Sequence, residues 1–190
     1  MLVRILAFLL EMLFFVLIGA ALMRAWMNWV RVNMRAQPGS FVMAVTDWLV
    51  KPLRQVLPKA WVQSRIDWAS VVAAVLLALA YAALWGLLFG IVLGGVTPWV
   101  PGLAGTAVLA LIVFALKALI RVALQSMMVL VFGFAILSWI QPGSPAYTLL
   151  GRLTEPLLAP LRRVIPSIGG VDLSALVLIL ILQIGLMILG

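Results

Sequence analysis

Glu11, Lys117, Arg121 and Gln125 stand inside long apolar runs; Asp67 and Asp172 each open one; Arg54 and Arg162 each follow a proline by two residues. These side chains have the type and spacing to do chemistry. A charge at the centre of a bilayer costs about 2.5–3.5 kcal/mol or more, so Glu11, Lys117 and Arg121 must pair, face water or line a path for a proton, ion or solute. Two matched aspartates have the makings of a carboxylate dyad or a cation site. Two matched arginines present planar forks to phosphate or carboxylate, and Arg163 adds a second cation beside Arg162. Each has a plainer reading. Asp67 and Asp172 stand where helices begin, the place of an N-cap, whereas a catalytic dyad belongs within the helices; the cap is the reading we adopt. Arg54 and Arg162 can simply snorkel to the interface and set topology. For Glu11 the expectation is an ion pair with Lys117 or Arg121, or a hydrogen-bonded neutral acid.

The chain has no Cys and no His. Disulfides, thiolate chemistry, Cys/His zinc sites, histidine-ligated haem and imidazole catalysis are therefore excluded. Phosphate-loop, nucleophile-elbow and zinc-protease motifs are absent as well. No cofactor and no enzymatic activity are expected; an intramembrane hydrolase using Asp67 and Asp172 is the outlying alternative.

The residues that would position these groups are overwhelmingly apolar. Of 190 residues, 66% are hydrophobic and 9% charged, and the mean hydropathy is +1.28. A soluble domain carries about 25% charged residues; this chain has too little polar surface to cover a globule and is read as an all-α integral membrane protein. Four main spans are expected: about Val3 to Val30, Ile66 to Leu93, an over-long segment from Leu103 to Ile140, and Asp172 to the C-terminus. Arg4, the apolar stretch after it and Gly19-Ala20-Ala21 resemble a signal peptide, but Glu11 argues against cleavage. The third segment is read as one long or bent element, since no Gly or Pro divides it near Lys117 to Arg121.

Basic residues orient the spans. Arg24, Arg31, Arg35, Lys51, Arg54, Lys59 and Arg65 lie at or between the first two segments, and Arg152, Arg162 and Arg163 between the last two; the Gly94–Gly102 connector has no charge. Positive-inside logic puts the two basic loops in the cytoplasm and both termini outside. Trp26, Trp29, Trp68 and Trp139 then fall at cytoplasmic ends and Trp99 in the outer connector, as interfacial indoles should. The net charge of +8, gathered at one face, suits anionic lipid headgroups and not nucleic acid.

One stretch is written twice. Thr46–Pro58 reads TDWLVKPLRQVLP and Thr154–Pro166 reads TEPLLAPLRRVIP, identical at Thr, Leu, Pro, Leu, Arg, Val and Pro. Each copy leads to an Asp that opens an apolar run and follows an apolar segment ending in Trp, so the chain is a duplicated unit. The boundaries read as 1–95 for the first unit, 96–121 for the external connector and the start of the third segment, and 122–190 for the second unit. Since both loops face one way, the repeats are parallel. Phe41, Val45, Trp48 and Leu49 share a helical face, which predicts an amphipathic helix lying on the membrane. Pro52 and Pro160 are expected to break it or open a fresh turn, and Pro58 and Pro166 to stop that turn.

These motifs resemble the YggT family of bacterial integral membrane proteins. The family pattern, T-[DE]-P-[LI]-[LI]-x-P-[LIV]-R-[RK]-[LIV]-[LI]-P followed by [IV]-D-x-[SA], fits Thr154–Ser174 closely. In the first copy Trp48 replaces a Pro, Gln55 replaces a basic residue and the spacer before Asp67 is longer. The resemblance implies a multi-pass protein of the bacterial inner membrane, with a part in osmotic or envelope stress tolerance. Some members lie in cell-division gene neighbourhoods, and chloroplast relatives are linked to thylakoid assembly. It carries no catalytic residues. The expected function is envelope homeostasis, with the amphipathic loops touching lipid, a membrane-protein partner or a second copy. The alternative is a small transporter or channel, or a subunit of one, with Glu11, Lys117, Arg121 and Gln125 lining the path.

Overall fold

The computed structural model describes residues 1–34, 39–58, 66–92, 104–163 and 173–189. Among them are six helices and no strand: α1 (Leu2–Trp29), α2 (Gly39–Val56), α3 (Trp68–Val92), α4 (Ala104–Ile140), α5 (Pro145–Arg162) and α6 (Leu173–Leu189). Asp172, Pro166 and the Gly94–Gly102 connector with Trp99 lie outside the described residues.

α1, α3 and α4 are long and apolar enough to cross a membrane. α6, at 17 residues, reaches about 25 Å at 1.5 Å per residue. Leu9, Leu13, Phe132 and Leu180 are all more than half exposed. Large side chains left outside on α1, α4 and α6 fit a surrounding of hydrocarbon.

Chain ends of the helices follow local chemistry. α1 stops where Arg31 takes a positive φ of 60°. The amides of Arg31 and Val32 then close back onto Asn28 O at 3.1 Å and Met27 O at 3.0 Å, the double bond of a Schellman stop at a position glycine usually takes. α4 is one unbroken helix of 37 residues, about 56 Å long, running through residue 121 without interruption. It ends at Gln141-Pro142-Gly143, where Gly143 has φ 93°. Ser144 then caps α5, its hydroxyl accepting from Tyr147 N at 3.1 Å, with Pro145 in the first turn.

The duplicated motif corrects the proline expectation. α2 runs through Pro52, and α5 through Pro156 and Pro160. Each proline removes one backbone donor, a penalty of about 3 kcal/mol in a helix interior, but its fixed φ is helical. Burial holds the helix together across the gap: Val42, Thr46 and Val50, four residues apart, form the packed face of α2, and Leu153, Thr154 and Leu158 that of α5. Leu57 N donates to Leu53 O at 2.9 Å beyond Pro52, so the ladder resumes.

α1, α2 and α3 pack on one another, and α4, α5 and α6 do the same. The first trio is built on small residues. Ala69, Ala73, Ala74, Ala78 and Ala82 of α3 meet Phe14, Ile18 and Ala21 of α1, and small side chains let two helix backbones approach closely where no hydrophobic drive exists between them. The second trio packs Val131, Phe134, Leu158, Leu178 and Leu182. The trios join through α1 and α3 against α4. A Cβ on Gly19 would stand 3.3 Å from Ser126 Oγ, so α1 and α4 nearly touch there.

Candidate functional site

The charged motif side chains gather at the end of α1 that carries Trp26. Arg24 is buried among them. Its Nη1 donates to Thr46 Oγ1 at 2.8 Å and to Asp47 Oδ1 at 2.7 Å, and its Nε stands 3.9 Å from Asp67 Oδ2. Thr46 passes the bond on, donating to Val42 O at 2.7 Å. Arg54 Nη2 donates to Asp67 Oδ2 at 2.7 Å, and Ser70 Oγ donates to the same oxygen at 2.8 Å. Ser70 N approaches Asp67 Oδ1 at 3.4 Å, while Asp67 O accepts from Ser70 N and Val71 N. Asp67 thus stands at the start of α3 and at the same time ties α3 to α2 and α1.

Asp47 completes the group. It accepts from Arg24 and from Lys51 Nζ at 2.8 Å, one helical turn on. The hydrogen bond from Lys51, helped by Arg24, lowers its pKa below the ordinary 3.8, against the opposing effect of burial. A carboxylate whose pKa is depressed on folding contributes stability above its unfolded pKa and loses it as pH falls through the folded one. Acidification below about pH 4 is therefore expected to lower the unfolding midpoint. In Asp47→Asn that acid-dependent part should vanish, which a pH series of melts in detergent would check.

The second copy is built differently. Thr154 keeps the same back-bond, donating to Leu150 O at 2.8 Å. Phe134, not a cation, lies against its helix: it stacks on Tyr147 at 5.2 Å, and the Arg162 guanidinium carbon stands 5.8 Å from its ring. Arg162 Nη1 also donates to Glu155 Oε2 at 2.8 Å. Arg163 is exposed in the turn that ends α5. The two matched arginines are thus both engaged within the chain, each with a carboxylate. The copies meet where Trp26 Nε1 donates to Leu153 O at 3.0 Å, over a cluster of Met27, Val42 and Leu153. Trp26→Phe keeps an aromatic ring but loses the bond and part of the indole's packing; it is expected to cost at least the roughly 0.5–1.5 kcal/mol of the bond in an unfolding titration.

At a second place, Glu11, Lys117, Arg121 and Gln125 line one cavity of about 360 Å³ between α1, α3 and α4, together with Tyr81. Lys117, Arg121 and Gln125 succeed one another at intervals of four, on one face of α4. The ion pair offered for Glu11 is not made: among the described residues every ion pair joins Arg24, Asp67 or residues of the motif segments, and none involves Glu11. α1 and α4 present these groups side by side to a shared space, without closing it. No metal-binding group of His, Cys, Asp or Glu occurs among the described residues.

Sequence reasoning found Arg54, Asp67 and the four cavity residues. It missed Arg24, which was counted only as an orienting charge. A signal was present: Arg24 interrupts an apolar run a full turn before the run ends, where a cation needs an acid brought to it. Thr46 and Thr154 were visible as identities between the copies, with no role attached.

The family model described as CCB3/YggT matches residues 3–88 and 107–190, the two trios of helices. Among curated relatives, the "Uncharacterized protein YggT" of Escherichia coli K12 is 32% identical over 164 residues, 86% of this chain and 77% of the relative. The "Uncharacterized protein in proC 3'region" of Vibrio alginolyticus is 33% identical over 186 residues, 97% of this chain and 92% of the relative. An "Uncharacterized protein" of Haemophilus influenzae is 30% identical over 162 residues, covering 85% and 78%. No solved structure matches the chain. With both trios matched by the family model and relatives aligned over most of their own length, the chain belongs to the CCB3/YggT family.

Proposed function

We propose that this chain is a non-enzymatic, four-span protein of the bacterial inner membrane, built from two parallel repeats, that serves envelope homeostasis under osmotic stress. Both repeat loops face the cytoplasm and both termini lie outside. The amphipathic helices α2 and α5 lie along the inner leaflet and touch anionic headgroups, a membrane-protein partner or a second copy. One observation carries this reading: α2 packs one face against α1 and α3, yet leaves Phe41 57% and Trp48 60% exposed, with the Lys51 side chain 71% exposed about one turn beyond Trp48. An exposed apolar stripe with a cation at its edge is the pattern of a helix seated at a charged membrane surface.

Two measurements test it. A single Cys placed at Ser144 should react only with reagent that reaches the cytoplasm; labelling from outside would reverse the topology. Phe41→Glu with Trp48→Glu should insert normally yet fail to restore osmotic tolerance to a strain lacking the protein. Full tolerance from that variant would remove the surface of α2 from the function.

The cavity supports a second reading, a small transporter or channel subunit with Glu11, Lys117, Arg121 and Gln125 on the path. It predicts ion or osmolyte flux in proteoliposomes that Glu11→Gln abolishes.

A further inference from the structure

The cavity poses a charge problem that the chain leaves open. Glu11 lies thirteen residues before Arg24, about 20 Å along α1, so the cavity stands apart from the motif charges, and Leu189 at the end of α6 borders it. Lys117 and Arg121 share that cavity with it. Three charges within apolar runs are costly unless something meets them, and Glu11 forms no ion pair with either cation among the described residues. Glu11 and Lys117 are exposed, open to whatever surrounds α1 and α4.

We infer that this cavity holds the headgroup of an aminophospholipid, its phosphate between Lys117 and Arg121 and its ammonium against Glu11. The argument is one of complementarity. Lys117 and Arg121, one turn apart, make a phosphate site, with Arg supplying a fork and Lys a point charge. A purely anionic amphiphile would satisfy them and be repelled by Glu11. A cationic one would satisfy Glu11 and be repelled by both. Only a ligand with an anion and a cation a few bonds apart meets all three. Gln125 and the Tyr81 hydroxyl add neutral donors and acceptors. At about 360 Å³ the space is within the 300–1,000 Å³ typical of small-ligand sites. Met12, Phe15 and Leu189 give it an apolar margin, along which acyl chains continue into the bilayer. The bilayer itself supplies such a ligand from the side.

The site is separate from the α2 surface, and binding does not require flux. The test is native mass spectrometry of the full chain released from nanodiscs of mixed phosphatidylethanolamine and phosphatidylglycerol. Wild type should retain phosphatidylethanolamine well above its share of the nanodisc. Lys117→Leu with Arg121→Leu should lower that retention at least about tenfold, the loss expected from one well-placed charged contact. Glu11→Gln, which removes a charge from the membrane and should fold without difficulty, is expected to shift the preference toward phosphatidylglycerol. Phe132→Leu, at an exposed apolar position of α4 outside the cavity, should leave the profile unchanged. Retained lipid that mirrors the nanodisc, or an unaltered preference in Glu11→Gln, would overturn the assignment. Release of the lipid by soluble phosphoethanolamine alone would reassign the site to a free zwitterion. Retention without ion or osmolyte flux keeps this inference and removes the transport reading; flux without retention does the reverse.

Discussion

Arg24→Leu should be among the most damaging single changes in the chain. Arg24 is 5% exposed and Asp67 7%, and the guanidinium holds Thr46 and Asp47 while standing 3.9 Å from Asp67. Removing one partner of a buried charge group leaves the others uncompensated, a loss of about 3–5 kcal/mol. Arg54 and Ser70 remain to hold Asp67, so the burden falls on Asp47 and on the docking of α2 against α1. Arg24→Lys keeps the charge and has donors for Thr46 and Asp47, but its compact ammonium lacks the separate Nε that stands 3.9 Å from Asp67, and it should fall between. Asp67→Asn still caps α3 yet deprives both arginines of their shared anion, so it should cost more than the few tenths expected of a cap alone. Denaturant titration in detergent and steady-state levels in membranes would measure all three. An Arg24→Leu midpoint equal to wild type would show that the cluster is ornamental.

Ala73→Phe should rank second. Ala73 and Ala74 are 1% and 0% exposed and face Ile18 and Ala21 across the α1–α3 seam. Overpacking a tight core costs about 1–3 kcal/mol, occasionally more. Here the upper end is expected, because a phenyl ring cannot fit without parting two helices that rely on close backbone approach. Since Arg24 and Thr46 sit at the end of the same seam, α2 should loosen too, and protease sensitivity should appear near residue 58. Ala73→Ser, which adds only a hydroxyl able to bond back within its own helix, should cost under about 1.5 kcal/mol. Equal behaviour of the Phe and Ser variants would mean that the seam is not tightly packed.

Both expectations concern residues whose weight the sequence did not reveal. The alanines of α3 read only as part of an apolar run. Hydropathy reports that a segment prefers hydrocarbon, but not which of its faces meets protein and which meets lipid, since in a membrane both are apolar. Pro52 and Pro160 misled for a related reason. Helix propensity weighs a proline locally, whereas Val50 and Leu158, both fully buried, hold the helix across the missing bond.

The sequence by itself determined the membrane class, the long helices and the duplication, because these rest on composition, run length and identity, which are properties of the chain in order. It also picked out Arg54, Asp67 and the four cavity residues, because a charge within or at the edge of an apolar run is conspicuous wherever the helix ends up. Only the tertiary structure decided the partners. Whether Glu11 meets Lys117 depends on the rotation of α1 against α4, which here leaves both on a shared open cavity. Arg24 acquired Asp47 and Thr46, and a place beside Asp67, because α2 folds back along α1. Phe134 lies against the helix of the second copy instead, so two matched motifs hold their helices by different means. Relative rotation and depth of helices are set by packing between segments far apart in the chain, and no local pattern of residues encodes them.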